Sequence, residues 1–584
     1  MNEEQRNLFL AIVLTFVILF GSQYFFKGAP DDAGQGGLDS NTADSLAPVA
    51  RGTTPQNPVP GATEPAPPQL VAPESRAVFR DRPELLAISP RVAIASDRIR
   101  GSIPLRGRRI DDLILADYRE TTARDSPNIV LLSPDGGASP YYAEFGWSTV
   151  PGSGIRVPDK DSMWQTTGGP LSTGHPVTLS WDNGAGLLFE RHIAIDENFM
   201  MTITQRVSNR GPAAVSLSPF GLIARIGTPK VTGFAILHEG ALGAFDKTLD
   251  EVSYKDMKEE KRIEHQSTGG WIGFTDKYWL TALIPDQSTA FTGHFTYGTA
   301  SGRDYYQSDY ILPPTVIAGG ASAETVSHFF AGAKEVNVID HYMESLGIAR
   351  FDRAIDWGWL FWLTEPIFQA LQAINSVIGN FGLSILALTV IIKLLFFPLA
   401  NKSYVSMSRM KTLQPKMKAL QERFKDDKVK LQQETMALYK KEKVNPLAGC
   451  LPMVVQIPVF FALYKVLFIT IEMRQTPFFG WVRDLSAPDP MLVLNLFGLI
   501  PWDPPGFLAI GVWPLLMGLS MFLQQRLNPQ PADATQAKIF MLMPVVFTFM
   551  LARFPVGLVI YWTWNNILSM AQQWMIMKRE GAVR

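Results

Sequence analysis

The chain has 584 residues, too many for one hydrophobic core, so several domains are expected. Its 53 basic and 54 acidic residues leave a net charge of −1, which excludes a general attraction to nucleic acid. A single cysteine, Cys450, excludes an intrachain disulfide, and all seven histidines precede residue 342, leaving the apolar C-terminal third without one.

No H-E-x-x-H and no G-x-x-x-x-G-K-[ST] phosphate loop occurs, and Gly152-Ser-Gly154, set near Pro151 and Pro158, reads as a turn. Neither a cofactor nor a metal is expected, and enzymatic chemistry has little to stand on. From the N-terminus, residues 8–26 are apolar apart from Thr15, Ser22 and Gln23, long enough for a membrane span. The preceding Met1-Asn-Glu-Glu-Gln-Arg-Asn7 is not basic and no A-x-A site follows, which favours an uncleaved anchor over a signal peptide. Residues 28–75 hold nine prolines and no aromatic, a composition that cannot bury enough surface to order itself; a flexible linker is expected.

Residues 76–345 read as a β-rich domain. Val177, Leu179 and Trp181 alternate with polar residues, Asn183-Gly184 supplies a turn, and a second run follows to Ile195, which is a hairpin signal. Phe199, Met201, Ile203 and Val207 alternate with polar residues as a half-buried strand does. Thr268–Thr275 and Trp279–Ile284 add strand-like runs. Long helical periodicity is scarce, so a large antiparallel β-sandwich is expected. It is either a groove for peptide, sugar or lipid, or a spacer and docking surface.

Residues 351–379 mix Trp357, Trp359, Trp362, Phe361 and Phe368 with Asp352, Arg353, Asp356 and Glu365, which suits an amphipathic helix at the membrane surface. Five further spans are expected at 380–400, 448–471, 508–527, 538–554 and 557–577, making six with the anchor. Met491–Ile500 is apolar but only about 15 Å long as a helix, against a bilayer core of about 30 Å. It is expected on the surface or partly dipped. Loop 401–445 carries twelve Lys/Arg and loop 472–507 two, so the first is expected in the cytoplasm and the second in the periplasm. By parity both termini are then cytoplasmic and residues 27–378 lie on the outer side.

Lys393 sits inside the second span, where an ammonium costs about 2.5–3.5 kcal/mol even on the lenient insertion scale. Either it snorkels to the headgroups, or it faces water, a partner or a substrate. Thr389 lies one turn earlier on the same face. Gln456 sits mid-span between Pro452 and Pro458, and the last span carries Tyr561, Trp562, Asn566, Ser569 and Gln573. Each polar group alone reads as interhelical glue; together with a lysine they point to a wet cavity. In loop 401–445, Met410, Leu413, Met417, Leu420 and Phe424 form a helical seam that Val429, Met436 and Tyr439 can face from a second helix, with Pro415 bending the first. This basic hairpin is a topology anchor, or a surface for a ribosome, nascent chain or anionic lipid with Lys416, Lys418, Lys425 and Lys430 as contacts.

The stretches Lys440–Tyr464, Phe554–Tyr561 and Asp356-Trp-Gly-Trp-Leu360 resemble the YidC/Oxa/Alb family of membrane insertases, in its Gram-negative form with a large periplasmic domain. The resemblance implies a polytopic α-helical membrane protein of the bacterial inner membrane, with a five-span core and a hydrophilic groove open to cytoplasm and lipid. It implies an insertase and chaperone, not an enzyme. Implied partners are newly made membrane proteins, the ribosome, the Sec translocase including its SecD/SecF side, and the bilayer. Lys393, Thr389, Gln456, Tyr561, Trp562 and Asn566 would line the groove. Lys393 stands where the family usually has arginine, so a point charge remains and the bidentate fork is lost. The apolar segment 491–507 is a second departure. From other classes, a small-solute transporter or channel is the alternative, and a lipid-handling enzyme the third.

Overall fold

A computed structural model describes residues 79–231, 237–300, 302–424, 427–442, 444, 451–502, 504–506, 508–528 and 534–579. The expected anchor at 8–26, the linker at 28–75, and Lys425 lie outside the described residues.

Among the described residues, the N-terminal half forms antiparallel sheets. One has nine strands, ordered Thr248–Ser253, Gly240–Phe245, Gly270–Thr275, Trp279–Pro285, Ser322–Ala333, Met200–Asn209, Leu187–Ile195, Val177–Asp182 and Gln165–Thr167. Facing it is a seven-stranded sheet ordered Arg262–Thr268, Ala290–Ala300, Arg303–Ile311, Val215–Ile226, Tyr141–Thr149 and Arg109–Ile110, with Thr315–Ile317 beside Val215–Ile226. A four-stranded sheet opens the domain. The inner faces meet through aromatic pairs such as Phe145 on Phe329, edge to face at 5.8 Å, worth about 0.5–1.5 kcal/mol beyond the area buried.

The hairpin forms as its sequence pattern demands, with Trp181 opposite Phe189. The buried Asn183 Oδ1 accepts from the N–H groups of Ala185 and Leu187 and so shapes the turn. The run Thr268–Thr275 differs from its reading as a single strand. Thr268 ends a strand of one sheet and Gly270 begins a strand of the other, with Gly269 at φ 71° and Gly270 at φ 105°. A Cβ at Gly270 would lie 2.0 Å from the Ala244 carbonyl, so only glycine permits the crossing.

The helix Val336–Ser345 and the 3₁₀ turn Phe351–Ala354 carry the chain to the helical half. Phe361–Ile378 buries Thr364, Ile367, Phe368 and Leu371 and leaves Trp359 and Trp362 exposed at its start. Gly379, at φ 73°, ends it, and Asn380 Oδ1 caps the next helix, Phe381–Leu395, by accepting from the Leu383 N–H. These two helices are bent by 120°. Together they have the length and apolarity of a membrane crossing; among the described residues no single helix is long and apolar enough for one.

The helices at the expected spans differ from their sequence windows at the ends. Helix Val512–Leu527 starts four residues late, after Gly511; Ala534–Leu551 stops ahead of Pro555; Val556–Arg579 is long but crossed by a polar stripe. Gly518 lets the first two of these approach closely, since a Cβ there would lie 2.0 Å from Thr548 Oγ1.

After Phe396 the chain continues as helices Phe397–Thr412 and Gln414–Arg423, with Pro398 and Pro415 each in a first turn. Pro415 thus starts a new helix, and the bend falls at Leu413. Helix Lys428–Lys441 returns against them, capped by Asp427. Leu413 and Met417 are buried as the seam requires, but Val429 and Met436 are exposed. Leu431, Thr435, Leu438 and Tyr439 are the half-buried residues of the returning helix. The inward face is the one at i, i+4, i+7 and i+8 from Leu431, which keeps Tyr439 and turns Val429 and Met436 outward.

Candidate functional site

Lys393 occupies the last turn of its helix, half-buried, and its Nζ donates to Ser569 Oγ of the last helix at 2.7 Å. Ser569 Oγ donates in turn to the Asn565 carbonyl at 2.7 Å, which orients a lone pair toward the ammonium. Among the described residues no carboxylate pairs with Lys393. The side chain is held by one neutral oxygen, so its charge remains available to another group.

Thr389 is buried one turn earlier, but its Oγ1 donates to the Ile385 carbonyl at 2.6 Å, so its hydroxyl is satisfied within the helix. Lys393, Phe396, Leu399, Tyr404, Gln456 and Val459 line a cavity of about 40 Å³. That is room for a few water molecules and not for a chain segment. Gln456 Nε2 donates to the buried Tyr561 hydroxyl, which places Tyr561 behind the cavity wall.

Trp562 and Asn566 point elsewhere. The Trp562 ring packs edge to face on Phe460 at 4.6 Å and against Phe547 at 5.8 Å, in an apolar seam. Asn566, 3% exposed, donates from Nδ2 to Ser520 Oγ at 2.9 Å, and Gln573 donates to Asn528 Oδ1 at 3.0 Å. The polar stripe of the last helix therefore fans out. Ser569 serves Lys393, while Asn566 and Gln573 tie the last helix to the middle and the C-terminal cap of Val512–Leu527. Tyr404 was not among the sequence candidates, and Ser569 was read only as part of the polar stripe of the last span. Tyr404 stands eleven residues after Lys393, but the helix breaks at Phe396 between them, so spacing alone does not place the two on one face.

In the hairpin, Lys416 Nζ is bonded to Glu442 at 2.6 Å, Lys418 is exposed, and Lys430 lies 5.6 Å from the Phe424 ring centre. Lys416 is thus partly neutralised, whereas Lys418 and Lys430 are both exposed.

A second polar cluster joins the sheets to the helices. Lys465 Nζ lies 2.9 Å from Asp356 Oδ2, which also accepts from the His238 N–H, while Asp356 Oδ1 accepts from the Gly358 N–H. Gly358, at φ 73°, brings the backbone over the lysine stem; a Cβ would meet Lys465 Cε at 3.3 Å. The Asp356-Trp-Gly motif is a sleeve for Lys465. Nearby, Glu472 accepts from the Val336 N–H at 2.9 Å, and burial pushes its carboxyl up to about 7. Lys277 Nζ sits 3.6 Å from the Phe468 ring centre, burial lowering it to about 8, and the Tyr278 hydroxyl donates to Ser486. The sheet domain is fastened to the helical half on this side.

Comparison with known proteins divides the chain along the same line. Residues 91–370 match the family model described as the YidC periplasmic domain, and residues 373–582 the one described as the 60Kd inner membrane protein. The membrane protein insertase YidC of Beijerinckia indica is 50% identical, over 100% of this chain and 97% of its own length. Those of Methylobacterium radiotolerans and Bradyrhizobium diazoefficiens are each 49% identical over 100% of this chain, covering 96% and 97% of their own. A sheet domain and a helical half that each match their part of one protein, in the same order and at full length, leave one assignment: the chain belongs to the YidC family of membrane protein insertases.

Proposed function

We propose that this insertase works through the cleft at Lys393. The observation that carries the reading is the ammonium bonded to a single hydroxyl, beside a small cavity that Tyr404 and Gln456 also line, with no carboxylate to neutralise it among the described residues. In this reading the five helices from Phe381 onward that enclose or brace the cleft, with the N-terminal anchor, make up the six spans. The hairpin stands in the cytoplasm with both termini, and the cleft opens toward it. The polar or acidic flank of a client displaces the cavity water, meets Lys393 in a medium of lower dielectric than bulk, and crosses a shortened apolar path before its span enters lipid. Gln456 and Tyr561 hold the polar wall; Trp562 and Asn566 fix helix packing behind it. The hairpin lysines receive a ribosome or nascent chain, and the periplasmic domain is the side available to the Sec translocase. The relatives carry the name of insertases, which favours this over a small-solute transporter.

The test is site-specific photocrosslinking to a ribosome-stalled membrane protein. A photoreactive residue at Ala400 or Val455, both beside the cavity, should capture the nascent chain as its polar flank arrives. Capture from the exposed Leu395 alone, with none from the two cavity positions, would place the client on the lipid surface and remove the cleft from the path.

A further inference from the structure

The segment Met491–Trp502 has no part in the cleft, and it is built for a low-dielectric surrounding. It carries no charge. Leu494, Leu496, Phe497, Leu499, Ile500 and Trp502 are all exposed, Leu499 by 82%. A soluble surface rarely shows so dense a run of large apolar side chains. The segment is not the helix that its composition permits but a knot of turns. Leu496 and Phe497 adopt left-handed backbone at φ 50° and 63°, followed by Gly498 at 91°. Such conformations are unfavourable for leucine and phenylalanine and persist only where the surroundings hold them.

What holds them is hydrogen bonding inside the knot. The N–H groups of Leu496, Phe497, Gly498, Leu499, Ile500 and Trp502 all donate to carbonyls between Leu492 and Ile500, and Asn495 Oδ1 accepts again from Gly498. In water this closure would be unnecessary, because solvent satisfies turn backbone. In a bilayer, an irregular segment enters only if its own backbone satisfies it. The base of the knot is fixed by the buried Asp489. Its Oδ1 accepts from the Met491 N–H and its Oδ2 from the Trp513 N–H, clamping the knot to the first turn of helix Val512–Leu527. That helix continues the same surface with exposed Leu515, Leu516, Leu519, Phe522 and Leu523. Its 16 residues rise about 24 Å, short of a core of about 30 Å.

We propose that the Met491–Trp502 knot is embedded in the outer leaflet of the bilayer, at the boundary of headgroups and acyl chains, as a shallow anchor that makes up the length missing from helix Val512–Leu527. The occupant of its surface is lipid. The inference rests on the reading that this helix spans the membrane, and it adds a lipid-binding element apart from the cleft. Insertion depth follows the exposed side chains: Leu499 goes deepest and Trp502 stays near the headgroups.

The test uses the full-length protein in vesicles of phosphatidylethanolamine and phosphatidylglycerol. In a Cys450→Ser background, a polarity-sensitive fluorophore is placed at Leu499→Cys, or at Ile500→Cys if the first variant does not fold, with exposed Thr122→Cys as the aqueous control. The anchor predicts quenching by lipids spin-labelled near the headgroup, weaker quenching by lipids labelled at the chain end, and iodide access about threefold or more below that of the control. Iodide access equal to the control overturns the proposal. Protection from both iodide and spin-labelled lipid also overturns it, and would assign the surface to a second copy or another protein. The readout needs no insertion activity, so an inactive cleft and a water-exposed knot are separate outcomes.

Discussion

Lys393 and Ser569 are 176 positions apart in sequence, yet the ammonium of one donates to the hydroxyl of the other at 2.7 Å. The bond crosses the interface between the Lys393 helix and the last helix, and it holds the charge beside the cavity. Lys393→Arg should keep insertion, since the charge survives at similar reach. Lys393→Glu should lower insertion of clients with acidic flanks by about tenfold or more; such a change needs only ~1.4 kcal/mol, less than one unit-charge pair at 4 Å supplies at an effective dielectric of about 20. Lys393→Leu should fold normally and fail most where the client flank is polar. A client panel graded by flank charge, at equal insertase abundance, checks this. Uniform activity of the leucine variant would make Lys393 a snorkelling residue without a client role.

Lys465 and Asp356 form a charged pair where the sheets meet the helices, at 2.9 Å with side chains 11% and 20% exposed. Lys465→Ala strands a mostly buried carboxylate and should destabilise the junction by about 3–5 kcal/mol. Adding Asp356→Asn should recover part of that loss, because an amide oxygen still accepts from the backbone. Thermal unfolding in detergent reads both variants, and no recovery in the double variant would mean that the pair does not act as a unit.

Removal of residues 80–330 should leave insertion measurable, since nothing in the sheets reaches the cleft. It should nonetheless lower thermal stability, because the Lys277–Phe468, Tyr278–Ser486 and Trp271–Phe351 contacts go with it. Unchanged stability would show that this junction carries no energy. Complete loss of insertion, with the helices still folded, would give the domain a direct part.

The Glu472 carboxyl, raised by burial to about 7, titrates near neutrality. Its folded value lies above the ordinary carboxylate range, so the folded state binds the extra proton between about pH 4.5 and 7. Stability from this group is full below the unfolded value and is lost as pH rises through about 7. Melting temperature should therefore fall across that window, and Glu472→Gln, which keeps an acceptor for the Val336 N–H, should flatten the fall. Parallel profiles for both proteins would count against it.

Neutralising Lys418 and Lys430 to glutamine should weaken capture of ribosomes or nascent chains and reduce its salt dependence. Lys416→Gln should do less, because Lys416 already pairs with Glu442 at 2.6 Å. An unchanged salt slope in the double variant would leave these charges as topology anchors.

Periodicity and punctuation in the chain by themselves determined the alternating strands around Asn183, the apolar helices, the basic hairpin and the isolated lysine at 393. These are local properties, carried by side chains two, three or four positions apart. The motif Asp356-Trp-Gly was legible as a family mark but not as a sleeve for Lys465, since that needs the turn at Gly358. Whether Thr268–Thr275 is one strand or two depended on how closely Gly270 approaches the Ala244 carbonyl, a contact with the neighbouring strand of the sheet it enters. Which of Tyr561, Trp562, Asn566 and Ser569 reaches the cleft depended on the rotation of one helix against four neighbours. A step along a helix turns a side chain by about 100°, so a polar stripe wide enough to read in sequence is wide enough to serve several partners. Only tertiary packing decides which partner each residue meets.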